Sequence, residues 1–185
     1  MRIVGGAWRG RTLASVATGD PSGHLRPTAD RVRESLFNML AHGAVAHPVK
    51  GARVLDLFAG TGALGLEALS RGADTAHFVE NGRAASLIAQ NITRTGAGDR
   101  ARLVRHDATK LGRWSQTPFD LVFLDPPYGK ALGQKALASA WGGGWLALDA
   151  LIVWEESAVQ TAPYGFTVVD SRQYGQTVLT FLRYG

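Results

Sequence analysis

From residue 53 onward the chain alternates between short, mainly apolar runs and longer stretches in which apolar side chains recur at helical spacing. The runs predict strands over 53–57, 75–79, 101–104, 119–124 and 151–154. The spaced stretches predict helices over 63–71, 83–95 and 131–140. In the helix over 83–95, Ala85, Leu87, Ile88, Ala89 and Ile92 share one side, and Gly96 closes it. Strands separated by helices pair in parallel through right-handed crossovers, so this order predicts a doubly wound sheet. The C-terminal runs over 166–171 and 177–184 differ, because only a tight Gln173-Tyr174-Gly175-Gln176 turn separates them and they must pair antiparallel. The expected fold is α/β, a Rossmann-like sheet of seven strands ending in an antiparallel hairpin.

The first part of the chain follows another pattern. Ile3-Val4 and Thr12-Leu13 flank a glycine-rich bend and predict a small β-hairpin. A loop through Asp20-Pro21-Ser22-Gly23 leads to Pro27, and Thr28 is placed to cap a helix over 29–42, with Val32, Leu36, Met39 and Leu40 on one face and Gly43 as its stop. Arg31 and Arg33 fall in the first turn, where they oppose the helix dipole and call for an anion. With 44–50 as a linker, the chain divides into an arm over 1–45 and a main domain over 46–185.

Composition narrows the function classes. Of 185 residues, 45% are hydrophobic and 19% charged, as in a packed globular chain. The absence of cysteine excludes disulfides, thiolate zinc sites and a cysteine nucleophile. The net charge is +5, and sixteen of the twenty cations are arginine, whose planar fork suits phosphate and base edges. Six arginines against three acids fall within residues 1–40, a second basic stretch covers 94–113, and 114–185 is acidic. Neither a signal peptide nor a membrane-spanning run is present, which predicts a soluble cytoplasmic protein and, with no sign of self-association, a monomer. His24, His42, His47, His77 and His106 show no metal-ligand spacing and read as surface or packing residues, so no metal is expected. The tryptophans read as filling, except Trp8, which sits among arginines where a base could stack.

Four successive predicted strands end in acids: Asp56, Glu80, Asp107 and Asp125. Ligands of such sheets bind beyond the carboxyl ends of the strands. After the first strand, Asp56-Leu57-Phe58-Ala59-Gly60-Thr61-Gly62 supplies a glycine turn with an acid where a dinucleotide fingerprint has its first glycine, which suits a cationic or zwitterionic ligand. Glu80 can accept both hydroxyls of a ribose, and His106-Asp107 can receive the amine of an adenine. S-adenosylmethionine and NAD both meet that description. Asp125-Pro126-Pro127-Tyr128 separates them: a carboxylate and a proline-fixed carbonyl can hold both N–H groups of an aromatic amine, and Tyr128 can stack on an extruded base.

These motifs resemble class I S-adenosylmethionine-dependent amino-methyltransferases. Arg2-Ile3-Val4-Gly5-Gly6, Arg9-Gly10-Arg11, Leu25-Arg26-Pro27-Thr28, the run from Arg31 to Asn38 and the run from Gly62 to Gly72 resemble, more narrowly, the RsmD family of bacterial 16S ribosomal RNA guanine-N2 methyltransferases. The resemblance spans nearly the whole chain. It implies S-adenosylmethionine as cofactor and 16S ribosomal RNA, or the small subunit containing it, as substrate. Asp56, Phe58, Ala59, Gly60, Thr61 and Gly62 would shape the cofactor pocket, Glu80 with Asn81 would bind ribose, and Asp107 with Ala108 would face adenine. Asp125, Pro126, Pro127 and Tyr128 would hold the guanine amine, and Arg9, Arg11, Arg26, Arg31 and Arg33 would contact RNA. Two alternatives compete. A DNA adenine or cytosine amino-methyltransferase normally carries a recognition domain for which 185 residues leave no length. A catalytically silent RNA-binding module would not need acids at every strand end.

Overall fold

Successive side chains of a strand point to opposite faces of its sheet, and at the centre of this sheet both faces are buried. The computed structural model of the protein describes residues 1–15, 30–43 and 45–185. Its strands are β1 (Arg53–Leu57), β2 (Thr75–Val79), β3 (Ala101–Val104), β4 (Phe119–Leu124), β5 (Leu146–Glu156), β6 (Phe166–Tyr174) and β7 (Thr177–Tyr184), joined in one sheet in the order β3-β2-β1-β4-β5-β7-β6. The first five are parallel and β7 runs antiparallel to both its neighbours. Val54, Phe78, Phe123 and Val153 face the cluster under α1 (Asp30–His42), α2 (Ala63–Ser70) and α3 (Ala85–Thr95). Leu55, Leu57, Val122, Leu124 and Trp154 face the other side, under α4 (Leu132–Gly142). The strand order reverses at β1 and β4, which opens a crevice beyond their carboxyl ends.

Two elements depart from expectation. β5 begins at Leu146 rather than 151, because Asp149 adopts a left-handed conformation (φ 62°) and the pairing with β4 slips there, interrupting the apolar run. β6 extends to Tyr174, which leaves Gly175 and Gln176 as a two-residue hairpin turn. Among the described residues no helix is long and apolar enough to cross a membrane.

The N-terminal arm is stitched to the core. Arg2 and Thr12 form a single antiparallel bridge, and the Ile3 N–H donates to the Arg11 carbonyl at 3.0 Å, so the expected hairpin is present without full strands. Its bend, a turn of 3-10 helix over Gly6–Trp8, lies on the end of α2. A Cβ on Gly6 would sit 2.0 Å from the Ser70 carbonyl oxygen, at a backbone φ of +74°, so only glycine permits this approach. Trp8 N–H donates to Ser70 Oγ at 2.9 Å and Val4 N–H to Glu67 Oε2 at 2.8 Å.

Arg33, expected to contact RNA, is fully buried. Its Nη2 reaches Asp30 Oδ1 at 2.8 Å and donates to the Arg2 carbonyl, and its Nε lies 4.0 Å from Glu67 Oε2. The anion that a first-turn arginine calls for is therefore supplied from within, by Asp30 and the buried Glu67, which also holds Arg71 Nε at 2.8 Å. Arg26, expected to contact RNA, and Thr28, expected to cap the helix, lie outside the described residues. Removing one partner of a buried ion pair costs about 3–5 kcal/mol, so Glu67→Ala should lower the free energy of unfolding by that order in a denaturant titration. It should also make the arm sensitive to protease while the sheet remains resistant.

Candidate active site

Alternation along β1 sends Leu55 and Leu57 to one cluster and turns Asp56 toward α2. Asp56 is buried, and its Oδ2 accepts the Gly65 N–H at 2.9 Å. A Cβ at Gly65 would stand 2.4 Å from Phe78 Cε1 and 3.1 Å from that oxygen, so a helix residue without a side chain makes the bond possible. Burial pushes the Asp56 carboxyl up to about 8, against the pull of the Gly65 N–H and with a smaller push from Glu80. A site that holds such a group favours a positive charge beside it.

Between β1 and α2 the backbone turns through three left-handed residues, Phe58 (φ 58°), Gly60 (φ 55°) and Gly62 (φ 76°). That conformation is costly for a phenylalanine, and it places Phe58 in the wall of a cleft with Val79, Glu80, Asn81, His106 and Ala108. Glu80 is fixed at the mouth: Oε2 accepts the Gly60 N–H at 3.1 Å and Oε1 the Gly82 N–H at 2.7 Å. A carboxylate has further lone pairs beyond these two bonds, directed here at the cleft. The turn is braced from behind, where Asn91 Nδ2 donates to the Thr61 carbonyl at 2.9 Å and, with its Oδ1, exchanges hydrogen bonds with the backbone of Ala14 in the arm. Thr61 itself is buried, with its hydroxyl 3.5 Å from Met1 Sδ.

Asp107 Oδ1 caps a short 3-10 turn, bonded to the Thr109 N–H at 2.9 Å and hydroxyl at 2.7 Å, and these bonds hold its carboxyl below the usual range. Its neighbours His106 and Ala108 are the residues that line the cleft. The cleft thus combines apolar and aromatic walls, a bidentate acceptor and a buried acid nearby. That donor set fits a nucleoside bearing a positive charge.

Beside it, at the end of β4, Asp125 N–H donates to the Leu57 carbonyl at 3.3 Å. Asp125 is raised well above the ordinary carboxylate range by removal from water and then by Glu155, Asp56 and Glu156. Pro126 is buried and Pro127 partly so. The Tyr128 hydroxyl donates to Glu155 Oε1 at 3.0 Å and lies 3.4 Å from Thr177 Oγ1, which ties the tetrapeptide to β5 and β7. Gly129 N–H donates to Glu156 Oε1 at 3.0 Å. Glu155 and Glu156, both buried, were absent from the sequence expectations. The same signal marked them, since they end the run Leu151-Ile152-Val153-Trp154 as Asp56 and Asp125 end theirs.

The other expected residues are dispersed. Arg9 and Arg31 are exposed, while Arg11 Nη1 donates to the carbonyls of Arg94 and Thr95 at the end of α3. Trp8 is half-buried with the Arg100 guanidinium 5.3 Å from its ring centre. His77 is buried against Trp114 and Phe119, which lowers it to about 4, and His47 Nε2 lies 3.7 Å from Asp120. Among the described residues no group of three histidines or acids could hold a metal ion.

Strand order, glycine turn and strand-end acids together define a class I methyltransferase fold. The chain matches the family described as Conserved hypothetical protein 95 over residues 1–183, and it belongs to that family, the RsmD family. Ribosomal RNA small subunit methyltransferase D of Escherichia coli K12 is 42% identical over 180 residues, covering 95% of this chain and 86% of that protein. The Haemophilus influenzae protein of the same name is 36% identical over 181 residues, covering 95% and 89%. The solved structure of Escherichia coli yhhF superposes with a TM-score of 0.80 at 37% identity, covering 100% of this chain and 97% of that one.

Because its Cβ would displace both Phe78 and the Asp56 carboxylate, Gly65→Ala should lower stability by about 1–3 kcal/mol in chemical denaturation. It should also weaken binding of a nucleoside ligand measured by calorimetry.

Proposed function

We propose that this protein transfers a methyl group from S-adenosylmethionine to the exocyclic N2 of a guanine in small-subunit (16S) ribosomal RNA. The observation that carries this reading is Asp125-Pro126-Pro127-Tyr128 standing at the end of β4 beside the cleft of β1 and β2, in a chain of this family. Relatives named for small-subunit ribosomal RNA support the substrate.

In this reading Glu80 accepts the ribose hydroxyls, with Asn81 alongside. Phe58, Val79 and Ala108 enclose the adenine, with His106 and Asp107 at its edge. Ala59, Gly60, Thr61 and Gly62 shape the turn, and Asp56 lies on the side of the positive charge. Bound S-adenosylmethionine supplies an electrophilic methyl group on a sulfonium. The Asp125 carboxylate and the Pro126 carbonyl hold the two N–H groups of the guanine amine and draw its lone pair out of the ring. Asp125 then receives the proton that nitrogen sheds as the N–C bond forms and the methyl leaves the sulfonium, a task suited to a carboxylate whose affinity for protons burial and its acidic neighbours have raised. Tyr128 stacks on the extruded base. Arg9, Arg11 and Arg31, all exposed, are arm residues open to phosphate, Arg11 while also holding the end of α3, and Arg26 belongs to the same proposed set.

The direct test incubates the protein and labelled S-adenosylmethionine with 16S ribosomal RNA, assembled small subunits and DNA in parallel, followed by nucleoside analysis. Label should appear as N2-methylguanosine in RNA; label only in DNA or protein would overturn the reading. Asp125→Ala should reduce transfer by about 100-fold or more while leaving cofactor affinity largely intact.

Asp56 provides a second test. With a folded value near 8, it holds a proton at neutral pH, and a neighbouring positive charge lowers that value. Binding should therefore release protons near pH 7, and affinity should rise with pH until about 8. Calorimetry in buffers of different ionisation enthalpy measures this, and Asp56→Asn should abolish the release.

A further inference from the structure

Glu155 ends β5 directly beside Asp125, because β4 and β5 pair in register with Leu124 opposite Trp154. It is only 6% exposed, its Oε1 accepts the Tyr128 hydroxyl at 3.0 Å, and its charge is the largest electrostatic influence on Asp125. A carboxylate has two oxygens with about four lone-pair sites, so it can accept several donors at once. The Tyr128 hydroxyl is one such donor. A second is offered by the base itself: on the Watson–Crick edge of guanine the N1–H lies next to the N2 amine and points the same way, whereas adenine and 2-aminopurine present an unprotonated N1 there. A base whose amine rests on Asp125 and Pro126 therefore turns its N1 toward one of the acceptors flanking Asp125.

We infer that Glu155 accepts the N1–H of the target guanine while it holds Tyr128, and so sets the preference for guanine over purines that lack this proton. The inference rests on the functional reading above. Its chemistry is a hydrogen bond that forms only with the correct base: with an unprotonated N1, a carboxylate oxygen and a ring lone pair face and repel each other in a dry site. Tyr128 contributes by stacking, which is indifferent to the N1 proton, so Glu155 and Tyr128 are separable although they touch.

The test uses the full-length protein and a small-subunit RNA fragment carrying either guanosine or 2-aminopurine riboside at the methylated position, once nucleoside mapping has located it. Both bases have the 2-amino group and only guanine has N1–H. Wild type should prefer guanine by about 10- to 100-fold in kcat/KM, the range expected when one hydrogen bond to a charged acceptor is lost. In Glu155→Gln the amide can turn its NH2 toward an unprotonated N1, so the ratio should fall toward one, with melting temperature and S-adenosylmethionine affinity near wild type. Tyr128→Ala, which removes the stacking ring, should lower transfer to both bases alike and keep the ratio. Should Glu155→Gln fail to fold, Glu155→Asp, which withdraws the carboxylate by one methylene, should compress the ratio in the same way. A wild type that uses both bases equally, or Glu155 variants that keep the wild-type ratio, would overturn the inference. A wild type inactive on every guanine-containing RNA would overturn the functional reading instead, and the inference with it.

Discussion

Parallel strands end on the same side of their sheet, and β1, β2, β4 and β5 each bring a carboxylate to that side. The repulsion among these groups is the constraint to which the surrounding structure answers. Asp125 is raised by Glu155, Asp56 and Glu156 once burial has removed its water, and Asp56 is raised by burial and by Glu80. Backbone N–H groups meet the acids wherever the chain allows it: Gly65 on Asp56, Gly60 and Gly82 on Glu80, and Gly129 on Glu156. Ser157 N–H also reaches Glu156 Oε2, at 2.8 Å, so four of the five donors are glycines. What these bonds leave is a negative, partly dry recess at the point where the strand order reverses. A nucleoside with a positive charge and an amine with two N–H groups both complete it.

The arm belongs to the same arrangement. Ile3, Leu13, Leu36, Phe37 and Leu40 share one apolar cluster with the sheet, and buried Glu67 joins Val4, Arg33 and Arg71 at the end of α2. From there the chain runs to Ala14, which meets Asn91, and Asn91 in turn holds the Thr61 carbonyl of the glycine turn. The order of the turn is thus linked to the docking of the arm through the buried Asn91 amide and through the contact of Thr61 with Met1. An arm loosened by mutation would reach the cleft through Thr61 and Met1 rather than through loss of an RNA contact.

The strands β1 to β4 coincide with the sequence expectation because their apolar clusters are short and set apart by glycine turns and helices; β1, β2 and β4 are buried almost throughout, while the edge strand β3 carries the exposed Arg102. β5 was legible only in part, since the left-handed Asp149 breaks its run and no residue type announces that conformation. Strand-end position identified Asp56, Glu80 and Asp125 and should equally have identified Glu155 and Glu156, which follow an apolar strand in the same way. Arg33 was illegible for another reason: burial of an arginine depends on an acid far along the chain, and the pairing with Glu67 exists only once α1 lies on α2. The glycines at 5 and 6 read as a bend, whereas the space they spare is filled by Arg71 and Ser70. Asp107 illustrates how one residue type serves two purposes, because a strand-end acid is also a cap, and here one of its oxygens is spent on Thr109.

The most direct measurement is a crystal structure of the protein with S-adenosylmethionine. The nucleoside should lie in the cleft of Phe58, Val79 and Ala108, with both ribose hydroxyls on the Glu80 carboxylate and the sulfonium methyl directed at Asp125 and Pro126. A cofactor bound away from Glu80, or with its methyl turned from the end of β4, would contradict the assignment of the strand-end acids.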